Sequence, residues 1–322
     1  MKGKRVEVTP LFEKAKIDSH NIFITETKGM YPYKEKIEDN WAYYTAVGLK
    51  ELNKIFEKEN KNIIDIGIVG ICSGVEGIAV LLIMKNTKKL IITDVDADIL
   101  KGTVYNLKHA VPQSPIIFIP LVGSFCEPIE EKNYLVDFVH ANIPNLPATG
   151  EEDLTKGAEK GTFLKPDLYQ KYNPPLKFTQ WALGAQYAYL QSAKKILRKD
   201  ASVITELGGR VPISIVKDLF KECGLTFSEV IVGFKEQTEA LIDFIGYSAF
   251  EKEYDVSFEF YKYEEGKSIL KKNNIENPTV KISGEKIKKL LEPCKVSAQE
   301  ALKLHKRGVA VGHTVHLFRG VN

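Results

Sequence analysis

Cysteine is scarce in this chain: 322 residues hold four, Cys72, Cys126, Cys223 and Cys294, and no two form a Cys-x-x-Cys pair. That excludes a disulfide framework or zinc ribbon, and scattered thiols fit a reducing, cytoplasmic setting. An excess of either charge is also missing, since 45 Lys and Arg stand against 42 Asp and Glu. Without a dominant positive field, no nucleic-acid or membrane partner is expected. The most apolar stretch, Ile63 to Met84, is interrupted by Asp65, Ser73 and Glu76, which excludes a membrane span there. The charged start, Met1 to Lys4, leads into no apolar segment, so no secretory leader is expected. Internal repeats and low-complexity tracts are absent, which excludes a solenoid.

What the chain does contain is an alternation of strands and helices. Strands are predicted at Ile63–Val69, Lys89–Thr93, Ile116–Pro120, Leu135–Ala141 and Ala201–Leu207. Helices are predicted at Ile78–Met84, Ile99–Ala110 and Lys177–Leu197, then at Ile213–Cys223 before Gly224. Such a series implies parallel pairing with right-handed crossovers. Two consecutive strands, Phe227–Gly233 and Ala240–Tyr247, then read as a hairpin that closes the sheet with an antiparallel strand. Lys271–Glu292 reads as a solvated linker with a charged face at Lys281–Lys289, Ser297–Lys306 as a helix and Val309–Phe318 as a final strand. The expected architecture is α/β: a Rossmann-like, mostly parallel seven-stranded sheet over 63–250, an N-terminal cap over 1–62 and a C-terminal extension over 251–322.

The first strand runs into Gly70-Ile71-Cys72-Ser73-Gly74, small residues that let a ligand approach the backbone at the start of a helix. Asp94 closes the second strand, 20 residues on from Gly74, and is followed by Val95. A carboxylate at that spacing can bind both ribose hydroxyls of an adenosine; the plainer alternative is a tight turn and an aspartate that caps a helix. A nicotinamide dinucleotide competes for the same residues, because Cys72-x-Gly74-x-x-Gly77 is a degraded dinucleotide fingerprint. Glu76 counts against it, standing where a pyrophosphate would approach. Further on, the fourth strand ends in Asn142-Ile143-Pro144-Asn145, which places a polar amide at the carboxyl edge of the sheet, where ligands bind in open α/β folds.

These stretches resemble the N-terminal methyltransferase domain of methionine S-methyltransferases. The likeness rests on Glu38-Asp39-Asn40-Trp41, on Gly70–Gly74 running into Ile78-Ala79, and on Asp94 within Thr93-Asp94-Val95-Asp96. Ile143-Pro144-Asn145, Leu207-Gly208-Gly209-Arg210 and Gly312-His313-Thr314 continue it, so that it spans roughly residues 35 to 318. The chain departs from the family at Ile68 and Cys72, where an acidic residue and a glycine are usual.

The resemblance implies S-adenosylmethionine as cofactor, held by Gly70, Cys72, Ser73, Gly74, Asp94, Val95 and Asn142. It implies a small amino-acid-like acceptor, above all the thioether sulfur of methionine, with Asn142 beside the reacting centre. A thioether has no proton to lose, and no general base stands on these motifs, whereas an amine or amide nitrogen acceptor would need one. Trp41, Tyr43, Tyr44, Trp181 and Tyr187 are candidates to cradle a cationic product, with Tyr169, Tyr172 and Phe178 behind them. Pro144, His313 and Arg210 complete the expected acceptor site, Arg210 as partner of a carboxylate. His313 and His316 have ligand-like spacing, but no cysteine or carboxylate cluster accompanies them, so no metal is expected. A nicotinamide-dependent oxidoreductase and a non-catalytic adenosine-binding regulator remain as readings from other classes, and a homodimer is left open.

Overall fold

Five consecutive residues, Asp65–Val69, are buried on both faces and form the central strand β1 of a computed structural model that describes residues 2–112 and 115–322. Burial on both faces is why this stretch reads as a continuous apolar run and does not alternate. Met1 of the charged start lies outside the described residues. Around β1 stand β2 (Lys89–Asp94), β3 (Ile117–Val122), β4 (Val136–Ala141) and β5 (Leu197–Gly208). β1 pairs in parallel with β2 and β4, β2 with β3, and β4 with β5. β6 (Thr226–Glu236) and β7 (Val311–Val321) complete the long strands. β7 runs antiparallel to both β5 and β6 and lies between them, so the order is β3-β2-β1-β4-β5-β7-β6. Two short strands, Phe260–Lys262 and Lys295–Val296, bring the sheet to nine.

The expected α/β sheet, mainly parallel with one antiparallel strand among its seven long strands, is therefore present, but the source of that strand differs. Ala240–Tyr247 does not return from β6 as a hairpin; it opens a helix, Ala240–Tyr254. Its buried residues Asp243, Phe244, Tyr247, Ser248 and Glu251 recur at intervals of three and four, while Leu241 and Ile245 are exposed. That is a helical period, hidden by the apolar residues on the outer face. The partner of β6 is the closing strand β7, which sits inside the sheet and not on an appendage. The predicted long helix Lys177–Leu197 is likewise interrupted, because Ala182 adopts φ 54° between a turn at Leu176–Thr179 and a helix at Gly184–Lys194. The Lys-rich linker also has structure: Gly284–Leu291 is a helix that buries Ile287 and Leu291 and is capped by Ser283.

Helices cover both faces. We number them α1 (Trp41–Lys58), α2 (Val75–Ile83), α3 (Ala97–Ala110), α4 (Gly184–Lys194), α5 (Ile213–Glu222) and α6 (Ala240–Tyr254). On one face Tyr44, Leu49 and Phe56 of α1 pack with Ile66, Ile78 and Leu317. On the other, Tyr189, Leu183 and Phe220 pack with Val139 and Phe318. Among the described residues no helix is long and apolar enough to cross a membrane.

The end of α1 is tied to the sheet by Glu59, whose carboxylate accepts from both terminal nitrogens of Arg319 at 2.7 Å. These hydrogen bonds hold the Glu59 carboxyl down at about 2. Its stabilisation is thus complete above the ordinary glutamate range and is lost as pH falls toward that value. Glu59→Gln should cost about 1–2 kcal/mol at neutral pH, discounted because Glu59 is partly exposed while the buried Arg319 loses its partner. Urea unfolding at neutral and acid pH checks this, and the difference between the two proteins should shrink as the pH is lowered.

Candidate active site

The turn after β1 is wound into left-handed backbone, with φ of 65° at Gly70, 51° at Cys72 and 89° at Gly74. Gly74 takes the position before the first residue of α2, where a Cβ would come within 3.1 Å of the Thr103 side chain. Cys72 tolerates its strained backbone because its neighbours engage it: the Tyr31 amide donates to its sulfur at 3.2 Å, and the Cys72 carbonyl accepts from the Thr103 hydroxyl. The Gly70 and Ile71 amides donate to the Thr93 carbonyl at 2.8 and 3.2 Å, pinning the turn against the end of β2.

At that end two aspartates divide the work that the sequence left undecided. Asp96 caps α3, accepting from the amides of Asp98 and Ile99. Asp94 is therefore free of the capping role; it accepts from the amides of Cys72 at 3.4 Å and Asp96 at 3.0 Å and borders the cavity beside the turn. Burial raises its carboxyl above the usual aspartate range.

The cavity has a volume of about 670 Å³. Its floor is the carboxyl edge of β1, β2, β4 and β5; its walls come from residues 29–42, from the strap over 154–168 and from α6. Of the residues singled out in the sequence, Gly70, Cys72, Ser73, Asp94, Val95, Asn142, Trp41, Pro144 and Arg210 line it. Gly74 shapes the turn without facing the cavity.

The remaining aromatics lie elsewhere. Tyr44 is fully buried, its hydroxyl 3.3 Å from the Phe234 carbonyl, with Tyr43 packed edge-on against it. Trp181 packs on Phe258, Tyr187 stacks on Phe178, and Tyr169 is a core residue. Tyr172 donates to Glu127 at 2.7 Å on a separate groove. Their helical spacing reported packing, not a ligand.

Asn142 donates to Glu76 Oε1 at 3.1 Å, and His140 Nε2 lies 2.9 Å from Glu76 Oε2. The Thr45 hydroxyl lies 3.3 Å from Glu76 and also contacts the carboxyl of Glu206. Glu206 is 1% exposed, and burial, followed by the nearby Glu76 charge, pushes its carboxyl well above the usual glutamate range. A hydroxyl has one proton to give, so Thr45 satisfies both carboxyls when one of them is the acid. Burial thus favours the protonated form of Glu206.

Arg210 is 4% exposed. Its Nη2 donates to Gln237 Oε1 at 2.6 Å and lies 3.4 Å from Asp243 Oδ2 and 3.2 Å from His313 Nε2. The other ring nitrogen of His313 lies 2.8 Å from the Thr314 carbonyl, so His313 accepts from Arg210 as the neutral ring. Burial, then the Arg210 charge, drives its pKa well below the usual value. His313 is thus a support behind Arg210, stacked on Trp41 at 5.4 Å, and not a lining residue. His316 is engaged by Glu229 at 2.6 Å and Thr314 at 2.8 Å. Gly208 makes the arrangement possible, because a Cβ there would run into the guanidinium and lie 3.2 Å from the Trp41 ring.

Among the lining residues that escaped the sequence reading are Glu206, Gln237, Asp243 and Tyr247. A lone acid in the apolar strand Ala201–Leu207 was a usable signal for Glu206. Asp243 and Tyr247 were hidden by reading their helix as a strand.

No protein-family model matches the chain, and no curated protein matches it in sequence. In shape it is similar to the precorrin-6y C5,15-methyltransferase of Geobacter metallireducens, at 12% identity over 65% of this chain and 86% of that one, with a TM-score of 0.37. It is also similar to a SAM-dependent methyltransferase of Agrobacterium tumefaciens, at 13% identity over 58% of this chain and 54% of that one, with a TM-score of 0.39. Likeness at that level leaves the chemistry to be argued from the cavity itself.

Proposed function

We propose that the chain is an S-adenosylmethionine-dependent methyltransferase acting on a small amino acid, with the thioether sulfur of methionine as the acceptor. The observation that carries this is Asp94: its carboxylate, relieved of helix capping by Asp96, borders the cavity beside a turn of small residues. The rest of the lining fits a cationic donor better than a dinucleotide. Glu76, Asp96, Glu239 and Asp243 join Asp94 around the cavity and outnumber the lining cations Lys160, Lys165 and Arg210, a balance that suits a sulfonium better than a pyrophosphate.

When bound, S-adenosylmethionine supplies a methyl group activated on a sulfonium. Displacement on that methyl is in-line, so the work left to the protein is orientation and exclusion of water. In this reading Asp94 accepts from the two ribose hydroxyls, and the wound backbone at Gly70–Gly74 lets the donor lie close. Asn142, fixed by Glu76, sets the acceptor beside the methyl. Arg210 holds the acceptor carboxylate, which could not remain unpaired in so buried a site. Trp41 and Tyr247 offer ring faces to a product that carries positive charge on sulfur.

Transfer of labelled methyl from S-adenosylmethionine to a panel of amino acids tests the assignment. Methionine should be labelled on sulfur; label on nitrogen, or on none of the panel, would contradict it. Asn142→Ala should lower kcat about three- to tenfold while donor affinity changes little, because the amide orients the acceptor and adds little to donor binding. Equal losses in both would return Asn142 to a purely structural role.

A further inference from the structure

One carboxyl oxygen in the cavity has no place in the reading above. Glu206 lines the cavity; its Oε2 is engaged by Thr45, but its buried Oε1 meets no donor among the described residues. Glu76 differs: Asn142, His140 and Thr45 all contact it. Lys235, the buried cation whose charge Glu206 feels, lies 3.4 Å from the Thr238 hydroxyl and has no hydrogen bond to Glu206. Leaving a buried acceptor without a donor is costly, so its retention calls for a partner.

The same cavity holds a second orphan of the opposite kind. Arg210 Nε is buried and finds no acceptor among the described residues, although Nη2 of the same guanidinium is engaged by Gln237, Asp243 and His313. Glu206 and Gly208 fall on the same face of β5, because side chains alternate along a strand. Gly208 in turn lies directly against the guanidinium. A lone acceptor and a lone donor thus both belong to residues at the carboxyl end of β5, which β4 and β1 separate from Asp94 on β2.

We propose that Glu206 receives the primary ammonium of an α-amino-acid acceptor, so that the acceptor is held as a zwitterion between Glu206 and Arg210. This rests on the amino-acid reading above and adds what recognises its second charge. Without an acceptor, burial favours the protonated form of Glu206, so no bare charge need be buried there. When the ammonium arrives, that proton leaves to solvent and the carboxylate pairs with the cation. The reacting sulfur lies at the other end of the molecule, so Glu206 takes no part in the bond that forms or the bond that breaks.

The test is a titration of the whole chain, saturated with S-adenosylhomocysteine, against methionine and against γ-methylthiobutyrate, which is methionine without its amino group. The parent should bind methionine roughly tenfold or more tightly than the analogue, the size of a lost hydrogen bond to a charged group. Glu206→Gln preserves shape and should bind the two alike, with its affinity for S-adenosylhomocysteine unchanged. A parent that does not discriminate, or a Glu206→Gln protein that still does, overturns the ammonium role. So does a Glu206→Gln protein whose affinity for S-adenosylhomocysteine falls instead, since the carboxylate would then face the donor's own ammonium. A parent that binds S-adenosylhomocysteine but neither thioether contradicts the amino-acid acceptor itself, a result distinct from the other three.

Discussion

Asp94→Asn should weaken S-adenosylhomocysteine binding by about 1.5–3 kcal/mol, roughly 10- to 150-fold, the worth of hydrogen bonds to a charged acceptor. The substitution keeps the shape at the end of β2 and removes the charge; its one oxygen can still accept from the Asp96 amide, held at 3.0 Å in the parent, and only the long 3.4 Å contact from the Cys72 amide loses its acceptor. Because burial raises the Asp94 carboxyl, the free protein gives up some stability to keep it ionised. Asp94→Asn should therefore leave the unliganded fold as stable as the parent or more so, even as binding is lost. The pH dependence carries the same signature. Ribose hydroxyls bond to the ionised form, so affinity should fall as pH drops, beginning above the usual aspartate range. In Asp94→Asn that fall should be absent. Calorimetric titration of both proteins between neutral and acid pH measures all of this; equal affinities would show that β2 does not end at the cofactor.

Arg210→Lys should raise the KM for methionine by roughly 10- to 100-fold with donor affinity nearly intact. The guanidinium is held through Nη2 by Gln237, Asp243 and His313, and lies over the rings of Tyr247 and Trp41 at 5.1 and 5.8 Å. A lysine keeps the charge opposite Asp243, so the fold should survive. It cannot reproduce the planar fork that serves these partners and a substrate carboxylate together. Replacement by alanine would be a poorer test, because it leaves Asp243 buried without its cation. Steady-state kinetics with methionine and with methionine amide checks the role, since the amide should be a weak substrate for the parent. If the amide reacts as well as the acid, Arg210 has no carboxylate to hold.

The parallel half of the fold was legible because it is built from local patterns. β1 through β5 are short runs of β-branched residues ending at turns, and such runs keep their meaning whatever lies around them. The antiparallel strand was expected from the right chemistry and the wrong residues. β6 pairs with β7, some 80 positions along the chain, and the pattern within a strand does not say which later segment will lie beside it. Ala240–Tyr247 failed for a different reason: apolar residues on the exposed face of α6 made a helical stripe look continuous. The candidate site divides along the same line. Asp94, Asn142 and Arg210 were visible because each stands where a strand gives way to a loop. Whether Asp94 or Asp96 capped α3 depended on φ and ψ at single residues, which spacing does not fix. Tyr44, Trp181 and Tyr187 were drawn toward the ligand by their chemistry, yet large amphipathic rings at helical spacing serve a core equally well.

The central claim is that the cavity between Asp94 and Arg210 binds a sulfonium donor and not a dinucleotide. Parallel calorimetric titrations of the unmodified protein with S-adenosylhomocysteine and with NAD test it most directly. Saturable binding of S-adenosylhomocysteine that is weakened by Asp94→Asn, with no heat from NAD, is the predicted result. Saturable binding of NAD with none of S-adenosylhomocysteine would contradict it.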